Sequence, residues 1–250
     1  MYYAVLVKLQ VFSDISIHMV YTSASSPVYV LPPPTTLLGS LAYPYLISKG
    51  YLGEVTKDRC SPAVELVDKV PYASAGSTGY LGYRFLERIL QLPYLRKEHQ
   101  RDVGRWWGVA QRGGVVFRDD ELYVLYIVRD PEIAKYAWGI VRIGRKESHV
   151  SAREVYVKKV TEVVSRNVNI VNTFMYAPSQ LFYYCENAIK VQLPIICGEN
   201  FCAPGKLRVD EFYVPSSDKM KCTVNTSHAA VLNIEGMEIA VPIEYARGNS

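Results

Sequence analysis

Apolar residues alternate along positions 2–12. Tyr3, Val5, Val7, Leu9 and Val11 fall on one face, with Lys8 and Gln10 on the other. A period of two is that of a strand with one face in a core. Positions 13–34 are turn-rich, and then the period changes. Leu37/Leu41/Tyr45 and Leu38/Ala42/Leu46 repeat every four residues, predicting a helix over 35–48 that kinks at Pro44. Pro32-Pro33-Pro34 fixes an extended approach to it, and Thr35 or Thr36 is placed to cap it. Gly39 leaves one helical face bare of side chain, where a backbone or ligand can approach closely.

The section from about 50 to 112 is irregular apart from a helix expected near 80–92. It is too long for a simple loop and must be functional or structured on its own. Gly114–Arg118 and Glu121–Val128 read as a hairpin turning at Asp119-Asp120. A second helix is expected over 131–138, with Asp130 as N-cap, Pro131 at its first position and Gly139 ending it. Positions 140–143 resume a strand. The order strand, helix, insertion, strand, strand, helix, strand is that of an α+β, ferredoxin-like βαββαβ domain with a large insert. After Val150 the texture changes to short β-rich runs separated by turn signals such as Ala203-Pro204-Gly205. The expected division is a domain over 1–150, carrying the insertion at about 79–118, and a β-rich part over 151–250. Many RNA-binding modules share this scaffold, as do unrelated proteins, so fold alone assigns no function.

Composition narrows the classes. The chain has 250 residues, 49% hydrophobic and 21% charged, ordinary for a globular protein with a sizeable core. Its apolar stretches around 28–31 and 37–47 are too short and interrupted to span a bilayer, so no membrane partner is expected. The five cysteines are irregularly spaced, and no basic leader precedes the apolar run at Met1–Lys8. A reducing, cytoplasmic setting is expected from this. Cys197 and Cys202 lack the partners that would complete a zinc site, so no metal or other cofactor is expected.

The net charge of +4 is modest, but it is concentrated. Between Arg84 and Arg118 lie eight cations and three anions, a net of +5, while the rest of the chain nets −1. Seven of those eight cations are arginine, suited to planar phosphate contacts and stacking. The same segment holds Trp106-Trp107 and many glycines. Cations with interleaved aromatics suit single-stranded RNA, whose bases stack while its phosphates track the charge. A second constellation follows the 140–143 run. In Ile143-Gly144-Arg145-Lys146-Glu147-Ser148-His149-Val150, two cations, a glycine, a hydroxyl and an imidazole converge as a phosphate site would require.

Two of these stretches resemble a known family. Pro32–Ala42 is similar, nearly letter for letter, to the P-P-P-T-T-x-x-G-x-L segment of the fifth Cas protein family, and Gly144–Ser148 to its G-R-K-x-S pattern. Those are RAMP-type proteins that hold the 5′ end of the guide RNA in type I CRISPR Cascade complexes, and the archaeal type I-A version is the most similar. The resemblance implies that the 79–118 insertion is the family's thumb, lying against guide RNA and a backbone subunit. It implies that the subunit holds the repeat-derived 5′ handle of crRNA and caps the filament. Its implied partners are crRNA, a backbone subunit of Cas family seven and a large subunit of Cas family eight, with a small subunit and target DNA in the same assembly. The residues expected at RNA are Gly39, Arg84, Arg105, Trp106, Trp107, Arg112, Gly144, Arg145, Lys146, Ser148 and His149.

The expectation is a non-catalytic subunit. Metal-independent RNA cleavage needs a base, an acid and a cation at the phosphorane. Tyr43 or Tyr45, Lys146 and His149 are the candidates here. In the type I-C branch of the family, which processes guide precursors, the Lys and His are adjacent; here Glu147 and Ser148 intervene. A processing endoribonuclease is therefore the alternative, and a structural protein without RNA the third reading. No P-loop, dinucleotide fingerprint or hydrolase motif is present.

Overall fold

The computed structural model describes residues 1–20, 27–51, 59–78, 83–91, 108–117, 119–165, 168–202, 207–216 and 218–247. Its first sheet is built from β1 (Tyr3–Val11), β2 (Tyr72–Gly76), β5 (Glu121–Val128) and β6 (Val150–Lys159). These lie in the order β2-β5-β1-β6, and every neighbouring pair is antiparallel. β3 (Tyr83–Gln91) and β4 (Gly108–Val116) pair with each other as a separate two-stranded sheet. The fold is α+β, with mostly antiparallel strands and few helices among the described residues.

β1 is buried on both faces, which its alternation did not suggest. Val5, Val7, Leu9 and Val11 join one core with the helix α1 (Pro34–Ser48). Ala4 and Leu6 face the other way, into a second core with Leu232, Ile234, Ile239 and Val241. α1 lays Leu37, Leu38 and Leu41 on the sheet, each worth about 2 kcal/mol in apolar burial. It begins one residue earlier than expected. Pro33 is the N-cap and its carbonyl accepts Thr36 N–H and Leu37 N–H, so no threonine side chain caps the helix. Tyr176 donates its hydroxyl to Pro32 O at 2.9 Å and so pins the proline run from below. On the sheet side, Tyr126 of β5 donates to Leu37 O at 3.0 Å and lies 3.1 Å from Ser40 Oγ. Burial holds the Tyr126 phenol well above its ordinary pKa, so it stays a donor.

The helix runs through Pro44 against the 3-10 helix Pro131–Gly139, which Asp130 caps by accepting Glu132 N–H at 2.9 Å. That approach is close: a Cβ on Gly139 would sit 2.5 Å from Pro44 Cβ.

Four expectations are corrected. Positions 83–91 form a strand, because β4 supplies a nine-residue ladder partner for a segment whose local composition suits a helix. Gly114–Val116 pairs with β3 and not with β5, whose neighbours are β1 and β2. The partner of β5 is the small-residue strand Tyr-Ala-Ser-Ala-Gly, buried along its whole length and without apolar alternation. Positions 140–143 are a turn in which only Arg142 pairs, with His149; the strand starts at Val150.

The remainder is β-rich, as expected. β7 (Val164–Ser165) to β9 (Ala177–Pro178), β10 (Phe182–Glu186), β11 (Ala188–Pro194), β12 (Val209–Pro215), β13 (Met220–Val224), β14 (Ala229–Ile234) and β15 (Met237–Pro242) form three sheets. Their orders are β10-β13-β8, with β8 spanning Ile170–Thr173, then β11-β12-β9 and β15-β14-β7. The cysteines are not all reduced: Cys185 is bonded to Cys222 across β10 and β13, and Cys60 to Cys202, while Cys197 is free.

Candidate nucleic-acid interface

The Gly144–Ser148 turn is held from three sides by main-chain and hydroxyl bonds. Within it, Ile143 N–H donates to Ser148 O and Ser148 N–H to Arg145 O, each at 3.1 Å. Beneath it runs the segment after β1. Phe12 N–H donates to His149 O at 3.0 Å, Ser13 Oγ donates to Glu147 O at 2.6 Å, and His149 N–H donates to Ser13 Oγ at 2.9 Å. Gly144 has φ +88°, and a Cβ there would lie 2.8 Å from Ile17 Cγ1. Only glycine meets both demands at once.

Ser148 is wholly buried, and its Oγ accepts Ser16 N–H at 3.4 Å. It supports the turn from inside and presents no surface. The exposed groups are Lys146, Glu147 and His149, with Arg142 and Arg145 half-buried. Arg145 donates from Nη2 to His18 Nε2 at 2.9 Å, which orients the guanidinium. Arg142, Arg145 and Lys146, with Gly144 and Glu147, line an open cleft of about 520 Å³.

Arg142 was not picked out from the sequence, and it joins this cleft to a second one. Its guanidinium lies 4.9 Å from the centroid of the Tyr43 ring. Both residues line a cleft of about 440 Å³ whose wall on α1 includes Gly39. Among the described residues, a Cβ on Gly39 would meet nothing within 4 Å. A glycine inside a helix costs about 1 kcal/mol against alanine, and among the described residues no packing offsets it here. The far wall includes Ser61, next to Cys60 and so tied by the disulfide to Cys202. Ser61 N–H also donates to Phe201 O at 2.6 Å.

The β3–β4 hairpin roots beside the same segment. Ile15 and Val115 exchange two backbone bonds of 2.9 Å, and Ser16 Oγ donates to Gly113 O at 2.6 Å. The structure thus brings Gly39, Gly144, Arg145, Lys146 and His149 into one neighbourhood with Arg142. Arg84 stands apart: it is exposed on β3, beside a groove with Met19 and Tyr29 that shares no wall residue with either cleft. Arg105, Trp106, Trp107 and the side chain of Arg112 lie outside the described residues.

The two tyrosines named for nuclease chemistry differ. Tyr43 is exposed. Tyr45 is buried, and its hydroxyl accepts from Lys69 Nζ at 2.6 Å. Burial pushes the Tyr45 phenol up, but hydrogen bonds and charge from Lys49 and Lys69 outweigh it and hold the group below its ordinary pKa. Among the described residues no three His, Cys, Asp or Glu side chains gather as a metal site would require, and no helix is long and apolar enough to cross a membrane.

No protein-family model matches the chain. CRISPR-associated protein Cas5 2 of Saccharolobus solfataricus is 27% identical over 192 residues, 72% of this chain and 70% of that protein. Cas5 3 of the same organism is 31% identical over 55% of this chain and 58% of its own length. The CRISPR system aCascade subunit Cas5 1, also from that organism, is 30% identical over 57% of this chain and 60% of its own. Among solved structures, a CRISPR protein from Archaeoglobus fulgidus superposes with a TM-score of 0.57 at 16% identity, covering 96% of this chain and 99% of that one. A chain of a CRISPR RNA-guided surveillance complex superposes with a TM-score of 0.52 at 15% identity, covering 86% and 90%. The proline-rich and Gly-Arg-Lys motifs and the sequence relatives point the same way: the chain is similar in sequence to Cas5 proteins of Saccharolobus solfataricus and shares the fold of CRISPR proteins.

Proposed function

We propose that this chain is a guide-RNA-binding assembly subunit of a type I-A Cascade, holding the 5′ handle of crRNA and capping the backbone filament. One observation carries the reading: the three cations of the Arg142–Lys146 turn and the glycine face of α1 form neighbouring clefts that share Arg142. Arg145 and Lys146 hold phosphates there, and base edges and shape supply the choice of sequence. The β2-β5-β1-β6 sheet with α1 and the 131–139 helix is read as the ferredoxin-like core of a domain over 1–150 that β6 completes. The β3–β4 hairpin is read as the root of the thumb, with 151–250 as the second part. Its partners are crRNA, the backbone subunit and the large subunit, with a small subunit and target DNA in the same assembly, all in the cytoplasm.

We further propose that the subunit does not cut RNA. The Tyr45 hydroxyl accepts from Lys69 Nζ, which leaves Tyr43, Lys146 and His149 as the trio the cleavage chemistry would need. A labelled RNA bearing the host's repeat-derived 5′ handle tests both statements, with binding and product length followed together over a salt series without metal. Salt-sensitive binding with intact RNA is the expected result. Discrete cleavage lost in His149→Ala or Lys146→Ala makes the protein a processing nuclease instead.

A further inference from the structure

We infer that the outer edge of β6 is a docking site for a second polypeptide: an extended segment, β-branched at its centre and acidic at its ends, adds to the first sheet as a further strand beside residues 155–159. The inference stands apart from the RNA-binding reading above and does not depend on it.

The two edges of the sheet differ. At the β2 edge, Tyr176 N–H donates to Ala75 O at 3.1 Å, Ser74 Oγ donates to Tyr176 O at 2.5 Å, and Gly76 bridges to Met175, so that edge is closed by the chain itself. At the other edge β6 pairs with β1 alone among the described residues. Only its start is covered, where Val150 N–H donates to Val141 O at 3.0 Å. The phase of the ladder says which groups face outward. Val160 N–H donates to Tyr2 O at 3.1 Å, and hydrogen-bonded pairs recur at every second residue of an antiparallel ladder. Lys158 and Tyr156 therefore turn their backbone groups to β1, while Val155, Val157 and Lys159 turn theirs away from the sheet. Among the described residues nothing on the backbone pairs with these outward groups. The Val157 residue is 40% exposed, and Lys158 and Lys159 are exposed beside it. Val155-Tyr156-Val157 is a strongly strand-forming run, and an open edge of this kind is a template for another strand.

Charge chooses the occupant. Arg153, Lys158 and Lys159 outnumber Glu154 along β6. Glu154 is already engaged, accepting the Tyr156 hydroxyl and lying 3.9 Å from Lys8 Nζ, and Lys159 lies 3.4 Å from Glu162. Among the described residues Arg153 and Lys158 form no ion pair. They flank the open stretch: Arg153 precedes it, at a bulge that leaves it with no residue opposite on β1, and Lys158 lies at its far end. Lysines on an open edge discourage pairing with a second copy, which brings the same charges. A strand with acidic residues at both ends meets both cations, in either direction along β6. A single-stranded nucleic acid would also meet the cations, but it would leave the row of backbone donors and acceptors unused, whereas an added peptide strand pairs with all of them.

The test uses the purified chain and two labelled synthetic peptides, Glu-Glu-Thr-Val-Thr-Val-Thr-Glu-Glu and the same centre with lysines in place of the glutamates. Binding is followed by fluorescence anisotropy and by amide hydrogen exchange read residue by residue by NMR. In the free chain the amides of Tyr156 and Lys158 are expected to be protected, and those of Val155, Val157 and Lys159 to exchange freely. The acidic peptide binds saturably and protects these outward amides, and the lysine peptide does not. Val157→Pro abolishes binding while the ladder to β1 stands, because proline is tolerated where an edge strand turns its N–H to solvent. Arg153→Glu combined with Lys158→Glu leaves the backbone untouched; it weakens the acidic peptide about tenfold and lets the lysine peptide bind. Lys146→Ala leaves peptide binding unchanged, so this inference and the RNA-binding reading fail separately. Outward amides already protected in the free chain overturn the inference, and so does no saturable binding of the acidic peptide up to about 1 mM. Equal affinity for the two peptides overturns the acidic partner. Protection of the same amides by single-stranded RNA in place of peptide assigns the edge to nucleic acid, and protection that rises with protein concentration alone assigns it to a second copy; each overturns the inference.

Discussion

The two motif-bearing regions, α1 and the 142–149 turn, each hold a glycine, and the two glycines answer to different demands. At Gly144 the chain itself is the judge: φ is +88° and Ile17 already occupies the space of a Cβ. At Gly39 the backbone is helical and the space is open among the described residues. The first glycine builds a surface and the second leaves one vacant. A residue the fold demands reports on stability, while a residue the fold does not demand, kept at a cost, reports on something outside it. On the proposed RNA-binding reading, this contrast separates support from contact within one site, and it sorts the other residues as well. Ser148, buried under Ser16, sides with Gly144; Arg142, Tyr43 and Lys146 side with Gly39.

The contrast is sharpest in a stability measurement. Gly144→Val is expected to cost about 3 kcal/mol, since a β-branched residue at positive φ also overpacks against Ile17. Chemical denaturation reads this directly, and an unchanged midpoint would break the comparison at its firmer end.

Alkali probes the buried tyrosines of the first sheet. Burial raises the phenols of Tyr72 and Tyr126 well above the ordinary value near 10. The unfolded chain releases these protons near pH 10 while the folded chain keeps them, so stability on their account is full below pH 10 and falls above it. Each contributes a loss of about 1.4 kcal/mol per pH unit there. Denaturation midpoints at pH 9 and above check this; Tyr126→Phe, which removes one titrating group, flattens the fall.

Ser148→Ala removes the acceptor for Ser16 N–H in a buried setting, with an expected loss of about 1 kcal/mol and no change in the charge of the surface. Gly39→Ala is the smallest effect and has the opposite sign, a gain of about 1 kcal/mol in the free chain. A destabilising Gly39→Ala would show that the fold needs this glycine after all.

Much of the site was legible in the sequence, and the reasons differ by element. β1 and α1 declare themselves through clean periods of two and four and through the proline run. The Gly-Arg-Lys turn shows in composition, because glycine and adjacent cations are rare together by chance. Arg142 was not legible: its importance is that it faces Tyr43 across the junction of two clefts, and 99 positions separate the two in sequence. β2 was missed because a strand buried on both faces and made of small residues has no alternation to read. β3 was misread because Leu, Arg and Glu favour a helix locally, and the ladder to β4 overrides them. The disulfides follow the same logic. Cys60 and Cys202 meet across 142 positions, so neither spacing nor count announces the pair. The pairing departs from the reduced thiols expected inside most cells, although intracellular proteins of hyperthermophilic archaea are often disulfide-bonded.

The central claim is that the Arg142–Lys146 turn holds RNA phosphates, and charge reversal tests it most directly. Affinity of the purified wild-type chain and of the Arg145→Glu, Lys146→Glu double variant for a handle-bearing single-stranded RNA would be measured from low to high salt. The account predicts a loss of at least about tenfold at low salt and a shallower salt dependence, by about 0.7 in log–log slope for each phosphate contact removed. Equal affinity and equal slope in the two proteins would contradict it and move the RNA to another face of the molecule.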